Sequence, residues 1–377
     1  MSAGLSQPQW SQRTEALLRA VRDLIPAMTA RATILDREGG FPEFEFDQLR
    51  NCCALSAVIP KRFGGLGLDT DRGASRVLFD LLRLIGRGNL AVGRIFEGHV
   101  NALKLICLYG KGPQIDRAVA DLEAGHLFAI WNAEAENAVR LERVSGDRKL
   151  TGSKVFCSAA GHVTRALITA TEASGTRMLL IPLQLGERVV PNGISLHGMR
   201  ATRTAGMDFD GIRVPPDGYI GEPDDYVREP AFSAGAWRTS AVTLGGLDSL
   251  IDETRRQLIA RNRHHDPHQL SRMGQVLIAR ESARLWIERA ASVEDSDLPV
   301  ATITGYVNLA RIALESATFD VIRLVQRTLG LSSFLQGNPV ERLMRDLATY
   351  LRQPAADEAL TEAAAWFVEH DFPEDEH

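Results

Sequence analysis

The sequence predicts an α+β fold that is mostly α-helical, with a β domain between two helical segments. Helix-spaced apolar residues fill both ends of the chain, while short β-rich runs separated by turn residues fill its middle. The 377 residues are 45% hydrophobic, so the chain can bury a large core. We predict an N-terminal helical domain at residues 1–124, a β domain at 125–222 and a C-terminal helical bundle at 223–377.

Two helical stretches predict the N-terminal domain. In residues 14–31 the apolar side chains recur at the spacing of one helix face: Leu17, Leu18, Val21, Leu24, Ile25 and Met28. Residues 74–109 continue in the same style, interrupted by Gly86 and Gly88. The run "IPKRFGGLGLD" at residues 59–69 is typical of a loop, because Pro and Gly punctuate it.

Short strand-like runs predict the β domain. Examples are "LFAIWNA", "RALITAT" and "RMLLIPL", and clusters of Gly, Asn, Asp and Pro separate them. Gly146 and Asp147 predict a hairpin turn inside this domain.

Long amphipathic helices predict the C-terminal bundle. Residues 300–329 contain no Pro and carry one apolar face: Val307, Ala310, Leu314, Ala317, Val321, Leu324 and Val325. Helices of this length with short connections favour a bundle. The acidic residues 371–377 are expected to fray.

Composition excludes several classes of partner. The net charge of −5 and the isoelectric point near 6.0 give no electrostatic reason to expect nucleic acid. No window approaches the roughly 18 uninterrupted apolar residues of a membrane-spanning helix. Residues 1–13 are polar and lack the apolar core of a signal peptide. We therefore predict a cytoplasmic protein with neither a nucleic-acid nor a membrane partner.

The cysteines and histidines do not predict a metal site. The four cysteines lack Cys-x-x-Cys spacing and are interpreted as small buried residues: Cys52, Cys53, Cys107 and Cys157. His264, His265 and His268 are close together, but Pro267 interrupts helical spacing and no set of ligands is complete, so a metal is the less favoured reading. His99, on a helix face, is interpreted as a packed, hydrogen-bonded residue rather than a base.

Five stretches carry a resemblance to a known family. They are "IPKRFGGLGLD" (59–69), "FEGHVNALKLICLYG" (96–110), "LTGSKVFCSAAG" (150–161), "GMRATRTAGMDFDGIRVP" (198–215) and "QRTLGLSSFLQGNPVERLMRDLATY" (326–350). In this order they resemble the acyl-CoA dehydrogenase superfamily of flavoproteins across nearly the whole chain. The resemblance implies a middle β-barrel or sandwich, a C-terminal four-helix bundle and bound FAD.

The resemblance also implies which residues meet the flavin ring, which in this fold lies between the β domain and the bundle. Phe156 would cover one ring face, and the Ser158 hydroxyl, two residues further along a strand, would donate to flavin N5. Without the resemblance, Phe156 would be a core residue and Ser158 a turn hydroxyl. Trp131 and Asn132 occupy the strand that meets the pyrimidine edge.

A second group is implied at the dinucleotide. Either Arg261 or Arg263 would meet the pyrophosphate, and the other would lie on a solvated helix face. Gln326, Leu329 and Gly330 match the segment that approaches the dinucleotide of a neighbouring subunit, where Gly permits close backbone approach.

These contacts between subunits imply an assembly. We expect a homodimer or homotetramer, or a pairing with a paralogous partner subunit, with residues 300–329 as the main interface helix.

The sequence departs from the family at the catalytic base, and the catalytic residue is therefore unknown. Dehydrogenases of the family use a Glu to remove the substrate α-proton. Here Gln353 or Pro354 occupies one position for that base and Trp237 occupies the alternative, and none of these can take a proton. Three replacement candidates stay open: Glu134, Glu136 and His99. The segment "NAEAENAVRLE" also lacks the Gly-Ser-Asp that meets flavin and acyl-CoA in the family.

Three hypotheses follow for the function. The leading one is an FAD-dependent oxidoreductase of acyl-CoA dehydrogenase type, which oxidises a CH–CH bond of an acyl thioester. The second is a flavin monooxygenase of the same fold acting on another apolar compound, since the Arg-Asp…Gln-Pro ending resembles the Arg-Asp…His-Asp-Pro of that branch. The third is an inactive paralogue that serves as a partner subunit.

Overall fold

Five helices precede the first strand in the part of the chain that the structure describes. The computed structural model describes residues 6–144, 147–191 and 194–374. The five helices are α1 (Gln7–Glu38), α2 (Glu43–Asn51), α3 (Ser75–Gly88), α4 (Leu90–Tyr109) and α5 (Gly112–Glu123). The break between α3 and α4 lies at Asn89, whose side chain accepts a hydrogen bond from the Ala91 N–H at 2.9 Å and so caps α4.

Two sheets form the β domain. The larger one contains β1 (Phe128–Trp131), β2 (Arg140–Val144), β3 (Asp147–Thr151), β5 (Arg165–Glu172), β6 (Gly175–Pro182) and β9 (Tyr219–Ile220). Within it β1 and β2 run parallel to β5, whereas the pairs β2–β3, β5–β6 and β6–β9 are antiparallel. The smaller sheet is antiparallel and has the order β4 (Ser153–Cys157), β8 (Ala205–Asp208) and β7 (Val189–Val190).

The remaining elements are helical and form the bundle. They are the short α6 (Ala231–Ala234), then α7 (Ala236–Ala260), α8 (Pro267–Glu294), α9 (Val300–Leu329), α10 (Pro339–Tyr350) and α11 (Ala356–Glu369). Helices α7, α8 and α9 pack on one another, α10 packs on α7, and α11 lies along α9.

The N-terminal domain and the bundle meet where α3 crosses α7. A Cβ on Gly86 would lie 2.2 Å from the Val242 carbonyl oxygen, and one on Gly245 would lie 2.1 Å from that of Arg83. Only glycine lets the two backbones approach this closely. The crossing fixes α4 and α7 side by side, and these two helices provide one wall of the site described below.

The structure confirms the α+β, mostly helical fold class, with the described strands all between Phe128 and Ile220. The domain limits at residues 124 and 222 stay predictions. Strands β2 and β3 pair as a hairpin, but Gly146 of the predicted turn lies outside the described residues. None of the helices in the described ranges is long and apolar enough to cross a membrane.

The prediction for the cysteines is right only for Cys157, which is buried. Cys52 and Cys107 are half-buried, and Cys53 is exposed in a turn with φ of 62°. Cys53 is exposed because it lies in the turn that follows the end of α2 at Asn51.

Candidate functional site

The β domain and the bundle enclose a cavity of about 1330 Å³. Ligand pockets in proteins commonly measure about 300–1,000 Å³, so this cavity has room for more than one small molecule. Four residues predicted at the flavin ring line it: Trp131, Asn132, Phe156 and Ser158. Side chains from α4, α7, α9, α10 and α11 provide the remaining walls.

Phe156 reaches the cavity by a different route from the predicted one. Strict alternation along β4 was expected to bring Phe156 and Ser158 to one face. Instead the pairing of β4 with β8 shifts register between Lys154 and Cys157, and Phe156 has φ of 54°, in the left-handed region. Such a bulge re-aims a side chain, and here it leaves the Phe156 ring 56% exposed in the cavity wall.

Ser158 lies just beyond β4, and an indole holds it in place. The Trp131 Nε1–H donates to the Ser158 carbonyl oxygen at 3.0 Å, which ties the end of β1 to the end of β4. The Ser158 hydroxyl, by contrast, makes no hydrogen bond with another described residue. It is therefore available to a ligand.

Asn132 and Tyr226 form a polar pair in the same wall. The Asn132 Nδ2–H donates to the Tyr226 hydroxyl. Burial raises the pKa of Tyr226 to about 12, so its phenol stays protonated at neutral pH. Tyr350, on α10, is also buried in the cavity lining, and burial raises its pKa as well.

Glu134, one of the three candidates to replace the base, forms an ion pair with a buried lysine. The Lys154 Nζ, which is fully buried, pairs with the Glu134 carboxylate and donates to the Thr169 hydroxyl at 2.8 Å. The second Glu134 carboxylate oxygen accepts from the Val139 N–H at 3.1 Å. Glu134 is therefore a structural partner of Lys154, and Glu136 is exposed and does not line the cavity.

His99, the third candidate, also lies outside the cavity lining. Its Nε2–H donates to the Leu55 carbonyl oxygen at 2.8 Å, and its Nδ1 accepts from the Phe128 N–H at 3.1 Å. Burial lowers the pKa of His99 to about 4. It is a packed, hydrogen-bonded residue, as predicted.

Charged residues form the wall contributed by α4 and α7. Arg94 donates to the Glu97 carboxylate at 2.6 Å, and Thr239 donates to the same carboxylate at 3.2 Å. Deeper in the wall, Arg238 pairs with Asp69 at 2.7 Å. Each of these charges is therefore compensated by a neighbour of opposite sign.

The two family positions for a base offer no proton acceptor. Gln353 lines the cavity, and its Nε2–H donates to the Tyr350 carbonyl oxygen at 2.7 Å. Pro354 follows it in the lining. Trp237 is fully buried and does not line the cavity.

The residues predicted at the dinucleotide lie outside the cavity lining. Arg261 donates to the Leu329 carbonyl oxygen at 3.5 Å and to the Ser332 hydroxyl at 2.9 Å, so it closes the end of α9. Gly330 has φ of 63° and ψ of −149°, a conformation that only glycine adopts readily. Arg263 instead pairs with Asp266 at 3.4 Å, and Gln326 is half-buried on α9.

The three histidines beside Arg263 belong to a turn and a helix start. Asp266 caps α8 by accepting from the His268 N–H at 2.8 Å, and Pro267 begins the helix. Within the described ranges no group of three or more His, Cys, Asp or Glu side chains gathers where a metal ion could bind.

Sequence reasoning missed several lining residues. No motif marked Tyr226, Asn308 or Arg311, because each becomes part of the site only when distant elements pack together. Tyr350 ends the quoted stretch at residues 326–350, but nothing in that stretch assigned it a role at the site. Glu97 lies inside the quoted stretch at residues 96–110, and its carboxylate among the mostly apolar residues of α4 was a signal that could have found it.

Comparisons with known proteins agree with this architecture. Residues 226–351 match the model of the acyl-CoA dehydrogenase C-terminal domain. A probable FMNH₂-dependent monooxygenase, SfnC of Pseudomonas putida, is 24% identical over 94% of this chain and 95% of its own length. Bovine mitochondrial short-chain specific acyl-CoA dehydrogenase is 24% identical over 87% of this chain and 82% of its own. These matches confirm the resemblance to the acyl-CoA dehydrogenase superfamily that the five sequence stretches carry.

Solved structures support the assignment at the level of fold. FMN-bound TdsC from Paenibacillus sp. A11-2 superposes with a TM-score of 0.81 at 20% identity, over 95% of this chain and 98% of that one. Both dehydrogenases and monooxygenases therefore resemble this chain over most of its length.

Proposed function

We propose that the protein is a flavin-dependent monooxygenase, which inserts one oxygen atom into an organic small molecule and uses reduced flavin supplied by a separate reductase. The observation that carries this proposal is the lack of a proton acceptor at both family positions for the dehydrogenase base. Gln353 and Pro354 occupy one position, and the buried Trp237 occupies the other.

The residues of the cavity fit a flavin. An exposed aromatic ring in a cavity wall, held there by a bulge, suits a flat aromatic ligand, and Phe156 is such a ring. The unpartnered Ser158 hydroxyl suits an acceptor or donor at the edge of that ligand. Trp131 and Asn132 would meet the other edge. When bound in its reduced form, a flavin supplies two electrons and two protons, so that one atom of O₂ enters the substrate and the other leaves as water.

The chain itself would orient the reactants and exclude water. Phe156 and Trp131 provide an apolar cover, and Ser158 would hold a hydrogen bond to the flavin ring. The phenols of Tyr226 and Tyr350 remain protonated, so they can donate but cannot remove a proton at neutral pH. Gln353 is held by the Tyr350 carbonyl oxygen and likewise cannot act as a base.

The identity of the flavin is a separate question. The family resemblance predicted FAD, with Arg261 or Arg263 at the pyrophosphate and Gln326, Leu329 and Gly330 near a neighbour's dinucleotide. SfnC and TdsC carry FMN or FMNH₂ in their names, which supports the mononucleotide for a monooxygenase. Release of the flavin by denaturation, followed by chromatography, distinguishes the two.

A second candidate is an acyl-CoA dehydrogenase, because four carboxylates do line the cavity: Glu97, Glu229, Glu358 and Glu362. Glu97 is held by Arg94 and Thr239. Glu229 is held by the Ser233 N–H at 3.0 Å, whereas Glu358 and Glu362 are exposed on α11. If the chain had relocated its base to one of them, it would retain dehydrogenase chemistry. A positioned base contributes about 10²–10⁴-fold to proton abstraction, so the difference is readily measured.

The test is anaerobic mixing of the flavin-loaded protein with acyl-CoAs of different chain length, followed by absorbance of the flavin. We expect no rapid bleaching by any acyl-CoA, but reduction by NADH with a flavin reductase. With oxygen readmitted and indole as probe, we expect one ¹⁸O atom from ¹⁸O₂ in the product. Rapid bleaching by an acyl-CoA would instead establish the dehydrogenase, and failure to bind or turn over flavin would favour the inactive partner subunit.

A gain-of-function variant sharpens the same test. Introducing a carboxylate by Gln353→Glu or Pro354→Glu should restore slow bleaching by acyl-CoA if only the base is missing. Gln353→Met, which removes the amide but adds no base, is the matched control and should stay unreactive.

A further inference from the structure

Two polar side chains on α9 face the cavity without a matching partner. Asn308 and Arg311 are three residues apart, so they share one face of the helix, and both line the cavity. The Asn308 amide makes no side-chain hydrogen bond with another described residue. The Arg311 guanidinium makes a single one, from a terminal nitrogen to the Ala355 carbonyl oxygen at 3.2 Å.

The carboxylate at ion-pair spacing from Arg311, that of Glu315, is paired with Arg352 instead. Glu315 lies one turn further along α9, at the spacing of a helical ion pair. Its carboxylate is paired with Arg352, whose guanidinium also covers the Phe319 ring at 4.9 Å. Two arginines therefore lie near a single carboxylate. Because Glu315 pairs with Arg352, no ion pair neutralises the positive charge of Arg311.

The other arginines of the cavity are compensated. Arg94 pairs with Glu97, Arg238 with Asp69, and Arg345 with Asp36. Among the described lining residues, Arg311 is the arginine that has no carboxylate at ion-pair distance. The uncompensated positive charge of these arginines therefore lies on the α9 side of the cavity.

Partial burial makes this charge costly. The Nε of Arg311 is shielded from solvent and has no hydrogen-bond partner, and burial lowers the pKa of its guanidinium. A cation that has lost water without gaining an anion is destabilised, and a ligand anion would remove that cost. Glu358 and Glu362 also border the cavity, but they are exposed, so water and salt screen them.

We propose that Asn308 and Arg311 are the docking point for an oxyanion of the substrate, a carboxylate, sulfonate or phosphate group. The guanidinium would bind the anion through its fork of N–H donors, and the Asn308 amide would add one more. Because Arg311 contacts Ala355, the anion would lie beside the segment at residues 353–355, with the rest of the substrate extending toward Phe156. This substrate class rests on the proposed function for the same cavity.

Matched acid and amide probes test the docking point. Calorimetry should compare octanoate with octanamide, and phenylacetate with phenylacetamide, on the wild-type protein. We expect the acids to bind about tenfold to a hundredfold more tightly than the amides, as a charge-assisted hydrogen-bonded pair predicts. Arg311→Met should remove this preference, Arg311→Lys should retain part of it, and Asn308→Leu should reduce it.

The control is Arg323→Met on the same helix. Arg323 is exposed and pairs with Asp320, so its loss should leave the preference for acids unchanged. A preference that survives Arg311→Met, or a wild-type protein that binds neither acid more tightly than its amide, overturns the inference. Thermal melting of each variant excludes misfolding, and Arg311→Lys guards against it.

These measurements need neither oxygen nor a reductant. A protein that distinguishes acid from amide but never turns over flavin would refute the proposed function and keep the docking point. A protein that oxygenates a neutral probe but binds acids no more tightly than amides would support the proposed function and refute the docking point.

Discussion

At the scale of single residues, His99 joins the N-terminal domain to the β domain. Its ring lies between the Leu55 carbonyl oxygen and the Phe128 N–H, with Phe128 beginning β1. Both bonds need the neutral ring with its proton on Nε2, because a protonated Nδ1 could no longer accept from Phe128. Its place on a helix face predicted a packed residue, but the two partners, 44 and 29 positions away, depend on the fold.

The first prediction concerns the pH dependence that follows from His99. The pKa of His99 falls to about 4 in the folded protein and returns to its ordinary value of 6.5 on unfolding. The unfolded chain therefore binds more protons between these values, so this contribution to stability is complete above pH 6.5 and is lost as pH falls to about 4. We expect the loss to reach about 3 kcal/mol.

Urea unfolding at a series of pH values checks this prediction. His99→Gln keeps a donor and an acceptor but cannot be protonated, so its stability should fall less between pH 7 and 5 than that of the wild type. His265→Gln, at an exposed position, is the control and should follow the wild type. Parallel curves for wild type and His99→Gln would contradict the assignment.

At the scale of one element, β4 illustrates where prediction from sequence ends. Gly-x-Lys-x-aromatic-x-Ser and the strand period placed an aromatic and a hydroxyl at the flavin, and both line the cavity. The bulge that brings them there was not predictable, because pairing with β8 imposes the φ of 54° at Phe156. Local propensity disfavours that conformation for an aromatic residue, so only the packed sheet explains it.

The second prediction tests this strand. Ser158→Ala should weaken flavin binding by about 0.5–1.5 kcal/mol, because one hydrogen bond is lost, and should shift the flavin spectrum. Phe156→Ala should weaken it more, because the apolar cover is lost. Leu185→Ala, at an exposed residue outside the cavity lining, is the control. Titration with flavin followed by fluorescence measures all three, and unchanged affinity in both site variants would refute these roles.

At the scale of the whole molecule, the sequence predicted the order of helical and β segments well, because periodicity and turn residues are local signals. The ion pairs that lie behind the cavity could not be predicted from the sequence. Arg238 on α7 pairs with Asp69 from a loop 169 positions away, and such pairs depend on how the domains dock. The same holds for Arg311, which lacks an ion pair because the Glu315 carboxylate pairs with Arg352.

Assembly also belongs to this scale, and the surface offers a second candidate for the interface besides α9. The sequence placed the main interface on α9, but most apolar side chains of α9 are buried within the chain. Four large exposed apolar residues instead form a stripe along α8: Leu270, Leu277, Ile278 and Leu285. The first half of α8 lies beside the end of α9, where Arg272 donates to the Arg327 carbonyl oxygen at 3.3 Å, and Leu331, Phe334 and Leu335 are exposed there.

The last prediction is that this stripe on α8 forms the interface between subunits, and that the flavin depends on it. Exposed apolar patches of this kind mark protein interfaces, and closed symmetric dimers are the commonest result. We expect light scattering to give at least a dimer, and Leu277→Asp with Ile278→Asp to give a monomer. Arg261 ends α7 and donates to the Leu329 carbonyl oxygen at the end of α9, outside the cavity. If the flavin is FAD, Arg261, Leu329 and Gly330 would meet a neighbour's dinucleotide, and the monomer should then lose FAD affinity. Val368→Asp, at an exposed apolar residue of α11, should alter neither property. A monomeric variant that holds its flavin as tightly as the wild type would show that each cavity binds its cofactor without a neighbouring subunit. That outcome would favour FMN, because the mononucleotide lacks the adenine nucleotide part that a neighbour would hold.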